Sequence, residues 1–159
     1  MDTNRALILA KKVVIKFFRL ITIGNDKPKI LKEAGLDCFW DDLKIQAMDA
    51  PTTEMSINEL EWNLDLPFWE EERIDDWNLT PRETLENPKY FPTHYKRIEG
   101  VDLNYPICIT KNKVGRWFVL DGTHRLAKAF LNDIKIIRVK IITGERLSEI
   151  IKVRDRVSC

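Results

Sequence analysis

The sequence lacks the features that would place this chain in a membrane or in a disulfide scaffold. No apolar run reaches the roughly 18 residues that a membrane-spanning helix needs. The three cysteines, Cys38, Cys108 and Cys159, are widely spaced and form no Cys-x-x-Cys pair, which argues against a zinc site or a disulfide framework. A signal peptide is also not indicated, because Lys11 and Lys16 interrupt the first apolar stretch. We therefore expect a cytoplasmic protein.

A large net charge is also absent, yet the charges are unevenly distributed. The formal net charge is only +1, which argues against a protein that coats nucleic acid through charge alone. Residues 51–100 carry 12 acidic and 5 basic side chains, whereas residues 101–159 carry 6 acidic and 12 basic ones. The acidic middle and the basic last third are therefore expected to have different roles.

The chain does contain enough apolar residues for one domain with a true core. It has 159 residues, of which 44% are hydrophobic and 32% are charged, and this composition is not that of a disordered chain. A turn at residues 49–53 is the best candidate boundary between an N-terminal helical extension, residues 1–50, and a domain of residues 51–159. The extension begins with a basic amphipathic helix over residues 4–21. This helix either packs with a solvated charged face or binds a membrane surface or a partner.

The remaining pattern predicts short, alternating elements. Helices are expected over residues 28–34 and 39–48. From residue 54 the order is a short strand, a helix-rich segment that begins with a helical turn at 58–65, a hairpin, a helix, a strand and a closing helix over 147–156. The segment Thr80-Pro81-Arg82-Glu83 has the residues of a capping box, and so predicts a helix start.

One turn concentrates hydrogen-bond donors. A hydrophobic strand runs directly into Asp121-Gly122-Thr123-His124-Arg125, which opens a helix. Gly122 permits a positive φ or a close backbone approach, and a helix N-terminus offers unpaired N–H groups and the positive end of the helix dipole. With Thr123, His124 and Arg125 at the same place, the turn is a candidate phosphate or carboxylate site. The alternative is a capped helix in which Arg125 pairs with Asp121.

This turn resembles that of the ParB/sulfiredoxin superfamily. The resemblance extends to the Ala-rich helix after the turn, to the strand over residues 134–142 and to the strand at 102–107. The resemblance covers roughly residues 54–143. It implies a small α+β domain with a mixed sheet and flanking helices. It also implies a bound nucleotide, such as ATP or ADP, whose phosphates contact Gly122, Thr123, His124 and Arg125. Asp121 would hold the side chain of His124 or Arg125 in place, or would hold a Mg²⁺ together with phosphate oxygens.

Departures from the family pattern narrow the implied activity. Sulfiredoxins have a cysteine where this chain has Thr123, which argues against sulfinic-acid repair. The stretch after Thr143 is too short for the DNA-binding domain that follows in ParB proteins. The turn is closest to that of the ADP-dependent free serine kinases, which use a catalytic carboxylate near the first strand. The candidates here are Glu59, Glu61 and Asp65, each of which could instead be a solvated helix charge.

Three functions therefore stay open at this level. The first is a nucleotide-dependent phosphotransferase that acts on a small molecule. The second is a non-catalytic module that senses a nucleotide or binds a protein partner. The third is a ParB-like DNA-binding protein or nuclease, which is less favoured because basic residues that alternate along water-facing strands explain the charge equally well. His94 is expected to be structural, and Trp62 and Trp69 are expected to lie in the core.

Overall fold

The computed structural model describes residues 29–35, 40–71 and 77–151. The helix predicted over residues 4–21, Cys38, Cys159 and most of the acidic loop lie outside the described residues. The elements are α1 (Lys29–Ala34), α2 (Asp42–Ala47), β1 (Thr52–Ser56), two short 3₁₀ turns (Ile57–Glu59 and Glu61–Asp65), β2 (Trp69–Glu70), β3 (Trp77–Leu79), α3 (Pro81–Glu86), α4 (Pro92–Gly100), β4 (Ile107–Lys111), β5 (Trp117–Asp121), α5 (Thr123–Leu131), β6 (Ile136–Ile141), a further 3₁₀ turn (Gly144–Arg146) and α6 (Leu147–Ile150).

A mixed four-stranded sheet organises these elements in the order β1-β6-β4-β5. β6 is antiparallel to β1 and parallel to β4, and β4 is antiparallel to β5. The parallel pair requires a crossover, which α5 provides between β5 and β6. A separate two-stranded ribbon is formed by β2 and β3. The predicted small α+β fold with a mixed sheet and flanking helices is therefore confirmed.

Helices cover both faces of the sheet because its strands alternate between two apolar sides. On one side Val119 and Val139 pack against Leu126 and Ala127 of α5, and all four are fully buried or nearly so. On the other side Phe118 and Leu120 pack with α1, α2 and α6. The helix α5 is thereby fixed against the sheet, with its first residue directly after the end of β5.

The edge strand β5, which leads into the candidate turn, is held by side chains rather than by another strand. Asn63 is completely buried. Its amide nitrogen donates to the carbonyl of Trp117, and its amide oxygen accepts from the N–H of Val119, both at 3.0 Å. The indole of Trp62 donates to the same Trp117 carbonyl at 3.1 Å. These bonds satisfy an edge that would otherwise be exposed.

Local signals predicted several elements correctly. The capping box is present, since Thr80 accepts from the N–H of Glu83 and Glu83 accepts from the N–H of Thr80. The hairpin between β4 and β5 is also confirmed, with Gly115 at φ +79° in its turn. The helical turn predicted over 58–65 is present as two 3₁₀ turns. The closing helix, predicted over 147–156, ends at Ile150 because Ile151 is extended and pairs with Trp40.

The first two described helices are joined closely to the sheet. Leu31 of α1 and Ile45 of α2 are buried in the core on the Phe118 side. The ammonium group of Lys140 donates to the carbonyls of Gln46 and Met48, which end α2. The boundary between residues 50 and 51 stays a prediction, and residues on both sides of it share one apolar cluster. None of the described helices is long and apolar enough to cross a membrane.

Candidate functional site

The candidate turn begins where β5 ends at Asp121. Gly122 follows with φ +97° and ψ +25°, and α5 starts at Thr123. The first intrahelical bond runs from the N–H of Leu126 to the carbonyl of Gly122 at 2.9 Å. The N–H groups of the first turn therefore have no carbonyl partner within the helix. No described side chain caps them, whereas Thr80 caps α3.

Arg125 lies folded back over this turn. Its Nη2 donates to Oδ2 of Asp121 at 2.9 Å, and the two side chains are only 18% and 21% exposed. A Cβ atom at Gly122 would lie 2.8 Å from that same Nη2, so a side chain there would displace the guanidinium. The ion pair between Arg125 and Asp121, which the sequence allowed as the structural alternative, is thus formed. Within the described chain, however, Nε of Arg125 is buried without an acceptor, which leaves one donor unused.

The second residue of α5, His124, forms a pair with His94. The chain contains two histidines, and the structure places Nε2 of His124 at 3.3 Å from Nδ1 of His94. The ring planes differ by 5°, and the ring centroids are 5.6 Å apart. The imidazoles therefore meet edge to edge in one plane. The other nitrogen of His94, Nε2, lies 2.8 Å from the carbonyl oxygen of Glu70.

The indole of Trp69 supports both rings. Its ring centroid is 4.9 Å from that of His94 and 4.2 Å from that of His124, with interplanar angles of 8° and 12°. Its Nε1 donates to the hydroxyl of Thr123 at 2.9 Å. Trp69 is buried, as predicted for a core residue. It also sets the positions of the first two side chains of α5.

One hydrogen bond fixes a proton on His94. A carbonyl oxygen only accepts, so Nε2 of His94 carries the hydrogen that it donates to Glu70. Between Nδ1 of His94 and Nε2 of His124, the protonation of the two rings decides which nitrogen donates.

Burial is the main cause that lowers the pKa of His124 to about 4. Repulsion from His94, Arg97 and Arg125 adds to this lowering, and the carboxylate of Asp121 acts in the opposite direction. His124 is therefore neutral at pH 7. This refines the expectation from the sequence, because a neutral imidazole gives no positive charge to a phosphate and can instead accept a proton.

The three candidate carboxylates lie in the two 3₁₀ turns that follow β1. Glu61 and Asp65 both bind Arg82 of α3, and Glu59 is exposed. The guanidinium carbon of Arg82 lies 5.4 Å from the ring centroid of Phe130, in the last turn of α5. That position is about 10 Å along the helix axis from its first residue. Ion pairing with Arg82 therefore ties Glu61 and Asp65 to the opposite end of α5.

Asp121 was the expected magnesium ligand, and its carboxylate accepts from Arg125. Among the described residues, no group of three or more histidine, cysteine, aspartate and glutamate side chains is placed to hold a metal ion. A Mg²⁺ at Asp121 would therefore depend on phosphate oxygens for its other ligands and stays a prediction.

Several basic side chains of the last third have partners within the protein. The guanidinium of Arg116 lies 4.0 Å from the ring centroid of Trp62, and the ammonium of Lys111 lies 5.0 Å from that of Trp117. Arg138 donates to the carbonyl of Asn104 at 3.1 Å. These contacts position the three side chains and leave their charges unneutralised.

Sequence reasoning missed the roles of His94 and Trp69. His94 stands thirty residues before His124 along the chain and reaches it only because α4 packs beside α5. Local periodicity carries no signal for such a contact. The one available hint is that histidine occurs twice in the whole sequence.

The comparisons with known proteins leave the family open. No family model, no curated protein and no solved structure matches this chain. The resemblance to the ParB/sulfiredoxin superfamily therefore stays a prediction from the residues of the turn.

Proposed function

We propose that the N-terminus of α5 binds the phosphate groups of a nucleotide such as ATP or ADP, and that the protein transfers a phosphoryl group from it to a small molecule. The observation that carries the proposal is the uncapped start of α5 directly behind a left-handed glycine. Such a turn presents several N–H groups to one point, where the helix dipole also favours an anion. The resemblance of residues 120–129 to nucleotide-binding turns supports the same assignment.

Arg125 supplies the side-chain part of this site. The Asp121 carboxylate holds the guanidinium in place, and its Nε has no acceptor among the described groups. A guanidinium held in advance loses little conformational entropy when it binds a phosphate. Asp121 also offsets much of its charge, so the backbone N–H groups supply a large part of the affinity. We therefore expect selectivity for the terminal phosphate groups of small molecules rather than broad attraction to polyanions such as DNA.

Phosphoryl transfer is compatible with so few groups because it depends mainly on positioning and charge stabilisation. The N–H groups of Thr123 and His124 would contact the transferred phosphate. The hydroxyl of Thr123 accepts from Trp69 and so keeps its own hydrogen for a phosphate oxygen. Glu61 and Asp65 are not needed as phosphate contacts and serve in the ion pair with Arg82.

Calorimetric titration of the full chain with ADP, ATP and pyrophosphate tests this proposal. We expect binding by the wild type and an affinity about 10- to 100-fold lower for Arg125→Gln, because one charge-assisted hydrogen bond contributes about 1.5–3 kcal/mol. Arg146→Gln is the matched control, since Arg146 pairs with exposed Glu149 away from the turn. It should bind like the wild type.

Two results would contradict the proposal. Equal affinity of Arg125→Gln and wild type for all three ligands would remove Arg125 from the site, and absence of binding by the wild type would remove the phosphate site altogether. Binding of ATP without any phosphate release or transfer would leave the nucleotide site standing and overturn the transferase part.

A further inference from the structure

A small cavity lies where the strand pairing of the sheet has a gap. β4 pairs with β6 only from Val139 onward, so residues 136–138 at the start of β6 have no strand beside them on that side. The segment before β4 is joined to this part of β6 by one hydrogen bond, from Nη1 of Arg138 to the carbonyl of Asn104 at 3.1 Å. The space left between these segments and α5 has a volume of about 140 Å³.

The walls of this cavity are mostly apolar. Ala129 lies four residues after Arg125 on the same face of α5, and its short side chain leaves the space open. The fully or partly buried apolar residues of the lining are Leu103, Ile107, Ala129, Ile134 and Ile137. A cavity of about 150 Å³ with such walls takes up benzene. The cavity therefore suits an apolar body of about six carbon atoms.

Two large apolar side chains of the lining are exposed to solvent. Ile136 is 54% exposed and Tyr105 is 65% exposed. Ile136 begins β6, which lies between β1 and β4 in the sheet order, and apolar side chains of inner strands are usually covered. A ligand in the cavity would cover part of both side chains and would gain free energy from that burial.

The charged side chains of the lining are both basic. Among the described residues that line the cavity, Arg125 and Arg138 are charged and none is acidic. Asp121 offsets the charge of Arg125. Arg138 is exposed and donates to a carbonyl, and Glu54, its partner in the β1–β6 register, forms no ion pair with it in the described structure. One positive charge beside an apolar cavity is complementary to an apolar ligand with one negative charge.

We propose that this cavity binds a small monocarboxylate whose apolar body has about six carbon atoms. The body lies between α5 and β6, against Ala129 and Ile137. Asn104 uses Nη1 of Arg138, which leaves Nε and Nη2, on one edge of the guanidinium, for the two carboxylate oxygens. The site goes beyond the phosphate site and stands without it, since no nucleotide takes part in the binding.

NMR titration of the ¹⁵N-labelled full chain, without nucleotide, tests the ligand class. The probes are benzoate, neutral benzamide, acetate and inorganic phosphate. We expect benzoate to bind with a Kd between about 10 μM and 1 mM and to shift backbone signals of residues 103–107 and 134–138. Benzamide, which lacks the charge, should bind at least about 10-fold more weakly. Acetate, which lacks the apolar body, and inorganic phosphate should leave the signals of residues 134–138 unchanged.

Two variants separate the charge from the apolar contact. Arg138→Gln should weaken benzoate binding about 10-fold and leave benzamide binding unchanged, whereas the matched control Arg146→Gln should bind both like the wild type. Ile136→Asn should weaken the binding of both molecules about 3- to 10-fold. Ile136 is exposed, so this variant keeps the core, and Val114→Asn is its control because Val114 is 75% exposed in the hairpin turn.

The outcomes distinguish this site from the phosphate site. The proposal is overturned if benzoate shifts no signal of residues 134–138 at about 10 mM, a concentration well above the expected Kd. Equal affinity of the wild type for benzoate and benzamide, or equal benzoate binding by Arg138→Gln and wild type, also overturns it, as does inorganic phosphate bound at these residues. Failure of ADP to bind a protein that binds benzoate overturns the proposed function alone.

Discussion

Phe118→Ala should lower the free energy of unfolding by about 3–5 kcal/mol, the usual cost of removing a buried phenylalanine and leaving a cavity. The ring is fully buried, and it contacts the aromatic rings of Trp40 and Phe68 at centroid distances of 5.9 and 5.5 Å. Gly35 lies so close that a Cβ there would be 2.4 Å from the Phe118 ring. The backbone after α1 therefore rests directly on this side chain.

Urea denaturation followed by tryptophan fluorescence and by far-UV circular dichroism measures the effect. Phe130→Ala is the matched control, because Phe130 is 36% exposed on α5 and should cost only about 1 kcal/mol. If residues 29–50 share one cooperative core with the sheet, both probes report a single transition in both variants. A Phe118→Ala variant as stable as Phe130→Ala would contradict the packing of α1 and α2 on the sheet.

Acidification from pH 7 to pH 4 should weaken folding through His124. The pKa of this side chain is about 4 in the folded protein and about 6.5 in an unfolded chain. Between these values the unfolded chain binds more protons, so the stabilisation is complete above pH 6.5 and is lost as the pH falls toward 4. The loss amounts to roughly 2–3 kcal/mol, with allowance for solvent screening of a partly exposed ring.

The comparison of wild type with His124→Gln isolates this contribution, because other titrating groups act in both proteins. We expect the difference in unfolding free energy between pH 7 and pH 4.5 to be smaller in His124→Gln by about 2 kcal/mol. Identical pH dependence of the two proteins would show that the folded-state pKa of His124 is not lowered. The environment inferred from Trp69 and His94 would then be wrong.

The parts of the fold that depend on neighbours in sequence could be predicted from the sequence. The capping box at Thr80 and the hairpin turn at Gly115 involve residues within four positions of each other, so their types and spacing suffice. The turn at Gly122 was predicted for the same reason. The helical turn over 58–65 became two 3₁₀ turns, and there Asn63 bonds to β5, a partner more than fifty residues away along the chain.

The parts of the site that depend on packing could not be predicted. The proton on Nε2 of His94 follows from the carbonyl of Glu70, which is twenty-four residues earlier in the chain. The engagement of Glu61 follows from Arg82, twenty-one residues further along the chain. Sequence patterns contain the donors and acceptors of such bonds but not the geometry that joins them. Reasoning from residue types therefore located the turn but not the contacts that surround it.

Calorimetric titration of ADP into wild type and Gly122→Ala tests the central claim, that the start of α5 is a phosphate site, most directly. Gly122 has φ +97°, and a Cβ there would strike Arg125, so both the backbone N–H groups and the guanidinium would shift. Gly115→Ala is the matched control, since Gly115 also has a positive φ of +79° and a Cβ there would meet nothing within 4 Å. We expect ADP to bind wild type and Gly115→Ala alike and to bind Gly122→Ala at least about 100-fold more weakly. Equal binding by all three proteins, or no binding to the wild type, would contradict the claim.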